Sequence, residues 1–103
     1  MLIIAGHTTV DPERRDQYVA AFEEMLQRAR AAPGCLDIAI TADPLAPERV
    51  NNFERWESKH AMDAWREVAG PPSVDIELLE DHVRLWDATN ERSPWSSPGF
   101  VDT

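Results

Sequence analysis

The stretch that decides the fold is residues 35–57, CLDIAITADPLAPERVNNFERWE. Its first eight residues carry Leu36, Ile38 and Ile40 on one parity, which is typical of a β-strand. The proline-rich run that follows is typical of a turn, and the residues from Arg49 onward form another strand. Because the two strands are close in sequence, we expect them to pair as an antiparallel hairpin.

A helix is predicted on each side of this hairpin. The first begins directly after Asp11, which can cap its free N–H groups, and ends at Pro33-Gly34. The second begins after Ser58, another capping residue. Helical spacing places Val68 on the buried side of the second helix, whereas Arg15 of the first is expected to be exposed to solvent.

Two further strands complete the pattern, at residues 2–10 and 82–88, whereas residues 73–81 are predicted to form a short helix or a turn. The order β-α-β-β-α-β is that of an α+β ferredoxin-like fold, an antiparallel sheet with both helices on one face. The other face of such a sheet is left apolar and exposed, so we expect a second copy to cover it in a homodimer.

We assign residues 1–89 to this domain and residues 90–103 to an irregular C-terminal tail. The tail is rich in Ser and Pro, yet it carries Trp95 and Phe100. Aromatic side chains of this size are expected to lie against another surface.

Charge and cysteine content exclude several classes of partner. Ten Lys and Arg against nineteen Asp and Glu give a net charge of −9, which disfavours nucleic-acid and membrane partners. The one cysteine, Cys35, excludes an internal disulfide and any multi-cysteine metal site. The apolar opening residues are too few for a signal peptide or a membrane span, so we expect a cytoplasmic protein.

The third strand carries the most unusual side chains. Alternation places Asn52, Glu54 and Trp56 on one of its faces. An amide and an indole four residues apart on one face can hold a flat aromatic molecule. The alternative is that Asn51 or Asn52 forms a β-bulge and that Trp56 simply belongs to the core.

Four runs of the sequence resemble one family: MLIIAGH (1–7), APGCL (32–36), RVNNFERWES (49–58) and KHAMDAW (59–65). Over residues 1–88 the chain resembles the antibiotic biosynthesis monooxygenase superfamily of small dimeric α/β-barrel proteins. This resemblance implies a homodimer with a pocket between the sheet and the helices of each subunit. Characterised members oxidise phenolic polyketides to quinones with O₂ and neither metal nor flavin, whereas others degrade haem or isomerise small metabolites.

The resemblance also implies roles for particular residues. Quinone-forming members use an Asn-x-x-x-Trp pair on the third strand, which corresponds to Asn52 and Trp56. Haem-degrading members use a first-strand asparagine, that tryptophan and a histidine late in the second helix. Here the first of these positions holds His7, and the last falls near Arg66 and Glu67, so the haem histidine is missing. We therefore do not expect haem, and the resemblance to the quinone-forming members implies that no other cofactor is used.

Oxygenation without a cofactor depends on the substrate as the electron donor. Triplet O₂ reacts slowly with closed-shell molecules unless they form an anion such as a phenolate, so the protein must favour that anion, orient it and exclude water. We expect the N–H groups of Asn52 and Trp56 to hold the oxyanion. His7 is expected to remove the proton, because imidazole is the usual general base near neutral pH.

Four more side chains are expected to bind the substrate: Phe22, Trp65, Arg84 and Trp86. For Trp65 the alternative is core packing. Arg84 and Trp86 share a strand face with His82, and the alternative for this group is the dimer seam. The three histidines lie on three different elements without a chelating spacing, so no metal site is predicted.

The leading hypothesis is a homodimeric, cofactor-independent monooxygenase that uses O₂ to oxidise a small, flat, electron-rich aromatic such as a phenol or an anthrone. The alternatives are a non-oxidative isomerase or small-molecule-binding module of the same fold, and an accessory dimer with an empty pocket. The enzymatic hypothesis requires His7, Asn52 and Trp56 to point into one cavity.

Overall fold

Five strands form one antiparallel sheet: β1 (Leu2–Thr9), β2 (Cys35–Ala42), β3 (Arg49–Trp56), β4 (Glu80–Asp81) and β5 (Arg84–Asp87). The structure is a computed structural model that describes residues 1–95. The strand order is β2-β3-β1-β4, and β5 follows β4 along the same edge of β1. This sheet confirms the predicted α+β ferredoxin-like fold. Part of the predicted tail, including Phe100, lies outside the described residues.

Three helices pack against one face of this sheet: α1 (Arg15–Ala21), α2 (Glu23–Arg30) and α3 (Lys59–Val68). The first predicted helix is divided at Phe22 and begins at Arg15 rather than after Asp11, whose carboxylate instead accepts a bond from the N–H of Glu13 at 3.0 Å. Ser58 caps α3 as predicted, at 3.1 Å. Within residues 1–95 no helix is long and apolar enough to cross a bilayer.

The burial of the β1 side chains shows which face of the sheet the helices cover. Leu2 and Ile4 are 7% and 6% exposed and belong to the core beneath the helices. Ile3 and Ala5 therefore project from the opposite face, which we call the open face. The core contains Leu2, Ile4, Met25, Ala29, Ile38, Trp56, Met62, Trp65 and Ala69. The segment before β4 forms neither a helix nor a strand, and its Ile76 is buried in a second, smaller cluster.

Arg15 holds the turn between β2 and β3, so its expected exposure to solvent is wrong. Its Nη1 donates to the carbonyl oxygens of Asp43 at 2.9 Å, Ala46 at 2.8 Å and Arg49 at 3.4 Å. The side chain is only 15% exposed. A guanidinium suits this position because it offers several donors in one plane.

The carboxylate of Asp43 organises the same turn from within. It accepts hydrogen bonds from the backbone N–H groups of Leu45 and Ala46, at 3.0 and 2.8 Å, and from Nδ2 of Asn51 at 2.9 Å. The bond from Asn51 is the main reason that the pKa of Asp43 falls from 3.8 to about 2; the two backbone bonds and the nearby Arg49 act in the same direction.

Gly6 lets β1 pass close to the junction of β4 and β5. Its φ is +144°, and a Cβ at this position would lie 2.2 Å from the carbonyl oxygen of His82 and 2.8 Å from the Cα of Val83. Any larger residue would push this junction away from β1.

Gly6→Ala should lower the free energy of unfolding by about 2 kcal/mol or more, because the added methyl group meets backbone atoms and the φ is strained. Gly70→Ala is the matched control, since the φ of Gly70 is also positive but the nearest atom lies 4.0 Å from the added Cβ. Urea unfolding of both variants tests this. Equal losses would contradict the close approach at Gly6.

Asp43→Asn should destabilise the protein at neutral pH and lose this effect in acid. Because the pKa of Asp43 is lowered in the folded state, its ionised form stabilises the fold above about pH 4, and this contribution is lost as the pH falls toward about 2. Urea titrations should show the stabilities of wild type and variant converging over that range. Glu67→Gln, at an exposed position on α3, is the control. A difference that stays constant down to pH 2 would refute the assignment.

Candidate functional site

Three side chains of β3 face the helices in one row, Asn52, Glu54 and Trp56, which we call the β3 row. Their partners on β1 are Gly6, Ile4 and Leu2, in that order. Directly opposite residues lie on the same face, so the burial of Ile4 and Leu2 places the β3 row beneath the helices. The pairing of β3 with both neighbours is regular at Asn51 and Asn52, so the alternative of a bulge there is wrong.

Trp56 belongs to the core, which was the alternative to a ligand contact. It is 0% exposed, and its Nε1 donates to Oε1 of Glu54 at 3.0 Å. The single N–H of this indole is therefore already satisfied. Glu54 itself lies between Ile4 and Ile38, which are 6% and 2% exposed, so its carboxylate has apolar neighbours on both adjacent strands.

Asn52 keeps more of its hydrogen-bonding capacity. Its Nδ2 donates to the carbonyl oxygen of Val50 at 3.1 Å and to Oγ1 of Thr8 at 3.5 Å. The second bond is at the long end of the hydrogen-bond range and is easily exchanged. The Asn52 amide is thus the group of the β3 row best able to bind an oxygen atom of a ligand.

His7 does not join the β3 row, so the expectation that it shares a cavity with Asn52 and Trp56 is wrong. It pairs with Asn51, and its ring therefore projects from the open face on the other side of the backbone. There its ring centroid lies 4.8 Å from that of His82. The structure brings together two of the three expected catalytic residues.

Glu54, and not His7, is the titratable side chain that lies beside Asn52 and Trp56 on the face beneath the helices. Sequence alternation had already placed it between Asn52 and Trp56 on one face. It was not among the expected site residues because a carboxylate in a strand usually faces solvent. Only the bond from Trp56 and the flanking isoleucines show that it faces inward.

The four expected substrate contacts divide between the two faces. Phe22 and Trp65 lie on the helix side, where Trp65 is a core residue, as its alternative predicted, and Phe22 packs against the same core. Arg84 and Trp86 pair with Ala5 and Ile3 and so project from the open face. One subunit does not bring these four side chains into one pocket.

Four cavities among residues 1–95 are lined by residues other than His7, Asn52 and Trp56. One of them comes close to the β3 row. It is a groove of about 530 Å³ along α1, α2 and β2, and its floor includes Ile40. Ile40 is the register partner of Asn52, so this groove ends one strand away from the row.

The thiol of Cys35 is not activated. Burial raises its pKa, and the nearby carboxylates of Asp37 and Glu54 raise it further. Within residues 1–95 no three His, Cys, Asp or Glu side chains converge in a group that could hold a metal ion. Nucleophilic chemistry at this cysteine is therefore disfavoured.

Several solved structures share this fold. A Nitrosomonas europaea protein, provisionally described as an antibiotic biosynthesis monooxygenase, has a TM-score of 0.66 at 13% identity, over 87% of this chain and 100% of that one. A similarly described protein from Deinococcus radiodurans has a TM-score of 0.65 at 17% identity, over 93% and 100%. One from Chloroflexus aurantiacus has a TM-score of 0.63 at 22% identity, over 89% and 96%. Identities this low show a common fold alone.

Two sequence comparisons extend this result. An uncharacterised Synechocystis protein is 24% identical over 62 residues, which are 60% of this chain and 42% of that protein, so the chain spans less than half of this relative's length. The family model described as antibiotic biosynthesis monooxygenase matches residues 1–69. With a match over more than half of its 103 residues, the chain belongs to the antibiotic biosynthesis monooxygenase family.

Proposed function

We propose that this chain is a monooxygenase-type enzyme that binds a small, electron-rich aromatic molecule, such as a phenol or an anthrone, and oxidises it with O₂ without a bound cofactor. Membership of the family supports a monooxygenase-type or small-molecule-binding role. The observation that carries the proposal is the β3 row, an amide, a carboxylate and an indole placed beneath the helices. Polar groups in such a place need partners, and a ligand can be one.

In this proposal Glu54 replaces His7 as the general base, because His7 projects from the other face of the sheet. One of its oxygens accepts the bond from Trp56, and the other can accept the proton of a phenol or of an activated C–H. Asn52 exchanges its long bond to Thr8 for a bond to the resulting oxyanion. The anion then reduces O₂. For a phenol, one oxygen atom enters the ring to give a quinone and the other leaves as water, together with the two hydrogens removed.

The apolar surroundings of the β3 row favour this chemistry because they limit the access of water. Ile4 and Ile38 flank Glu54, and Phe22 packs from the helix side against the core to which they belong. Phe22 and Tyr18 form a tilted ring pair with centroids 5.0 Å apart at the joint of α1 and α2. We propose that the substrate enters along the neighbouring groove and that Phe22 contacts it.

A second candidate function is binding without oxidation, and one observation favours it. The N–H of Trp56 is bound to Glu54 and its ring is 0% exposed, so the indole cannot also donate to a substrate oxygen in this arrangement. The β3 row then offers a substrate one N–H donor group, that of Asn52, instead of the two that were expected. A binding protein needs fewer such donors than an oxygenase.

Glu54→Gln and Asn52→Ala should each lower the rate of O₂ consumption with an anthrone by about tenfold or more, because each removes a group that acts on the anion. An oxygen electrode with chelator-treated protein measures this. His7→Asn is the control on the open face and should retain the rate. Anthrone binding without O₂ uptake would favour the second candidate, and full activity in Glu54→Gln would refute the role of Glu54.

We also propose that a second copy of the chain covers the open face. This face presents Ile3, Ala5 and Phe53, and the indole of Trp86 beside them is 53% exposed. Exposed apolar area of this kind is costly for a lone subunit. Nε of Arg55, on the same face, is buried without a partner among residues 1–95. Trp86 would then lie at the dimer seam.

Trp86→Glu should weaken the dimer by about tenfold or more, because it places an unpaired charge in the interface. Leu45→Glu is the control, since Leu45 is 92% exposed at the tip of the β2–β3 turn. Sedimentation equilibrium measures the dissociation constant. A monomeric wild type, or a variant that dimerises as well as wild type, would refute the assignment.

A further inference from the structure

A second groove lies away from the β3 row, between α3 and the loop that joins α2 to β2. Its volume is about 340 Å³, at the lower end of the range for small-molecule sites. Ala32 and Gly34 form one wall, and Ala61, Ala64 and Val68 of α3 form the other. None of the residues of the β3 row lines it, so it is a separate feature of the surface.

Small side chains create this groove. Gly34 has a φ of +81°, and a Cβ there would lie 2.4 Å from the Cβ of Ala61, so the loop contacts the helix directly. Farther along the helix Ala64 leaves space instead of filling it. Val68, which was predicted to be buried, is 66% exposed and lines the groove. The prediction failed because this side chain lies along an open groove instead of against the core.

The floor of the groove is rigid. Trp65 is 7% exposed, and the guanidinium of Arg28 lies 5.5 Å from the centre of its ring. Arg28 is itself fixed, because it donates to the carbonyl oxygens of Val68 at 3.2 Å and Ala69 at 2.7 Å. A floor held in this way cannot collapse to fill the space when the groove is empty.

The polar end of the groove carries the carboxylate of Glu57, together with Ser58 and His60, which also line the groove. Oε2 of Glu57 lies 3.5 Å from the position that a Cβ of Gly34 would take, so the carboxylate stands over this end. Among residues 1–95 no Lys, Arg or His forms a salt bridge with this carboxylate, and the neighbouring Lys59 is bound to Asp63. The net charge of −9 further favours a cationic guest over an anionic one.

We propose that this groove binds a small organic amine, with its protonated nitrogen beside Glu57 and its hydrocarbon part against Ala61, Ala64 and Trp65. Charge complementarity selects the ammonium group, and the alanine walls over an indole floor select a single ring or a short alkyl chain. This second site neither uses nor requires the chemistry of the β3 row.

The test is an NMR titration of the ¹⁵N-labelled protein at low salt with three probes of similar shape: 2-phenylethylamine, 2-phenylethanol and 3-phenylpropanoate. The amine should bind about threefold to fivefold more tightly than the alcohol, as expected for one partly exposed ion pair, and the carboxylate should bind least. The shifted amide signals should be those of Ala61 and Ala64, together with the indole N–H of Trp65.

Two variants test the ammonium contact and the apolar contact separately. Glu57→Gln should abolish the preference for the amine and leave the affinity for the alcohol unchanged, whereas the matched control Glu67→Gln, outside the groove on α3, should behave as wild type. Ala64→Leu, at an exposed position that tolerates a larger side chain, should weaken binding of all three probes. Equal affinity for amine and alcohol in the wild type, or unchanged binding in Ala64→Leu, would overturn the proposal.

Discussion

The continuous antiparallel pairing of β1 with β3 is the constraint on which the rest of the structure depends. The pairs run without a shift from Leu2 opposite Trp56 to Thr9 opposite Arg49. In such a ladder the parity of a residue decides its face, and a slip of one residue would turn every side chain of one strand over. The grouping of Asn52, Glu54 and Trp56 beneath the helices, and the exclusion of His7 from that group, both follow from this register.

The bond between Trp56 and Glu54 connects stability with the proposed chemistry. A buried indole N–H without an acceptor is costly, and a carboxylate among isoleucines needs a donor, so each group satisfies the other. This contact also restrains the position of the Glu54 carboxylate. In the proposed function, the second oxygen of this carboxylate accepts the proton of the substrate.

Much of the fold could be predicted because its signals are local. The observed bounds of β2 equal those predicted, and Ser58 caps α3. The order β-α-β-β-α-β is as expected, except that the first helix is divided in two and the short strand β4 precedes the last strand. The errors concern contacts between distant segments. Arg15 was expected to face solvent, but it binds carbonyl groups of the distant β2–β3 turn. Val68 was expected to be buried, but it lies along an open groove.

The amino-acid sequence alone determined which residues share a face of each strand: Asn52 with Trp56, and His7 with Ile3 and Ala5. It also determined the family to which the chain belongs, because the family model matches the sequence itself. Only the tertiary structure decided which residues of β1 and β3 lie on the same face of the sheet. Both parities of β1 carry apolar side chains, so the pattern within one strand cannot say which parity the helices cover. That choice is made where the helices pack on Leu2 and Ile4, through contacts between segments far apart in the chain.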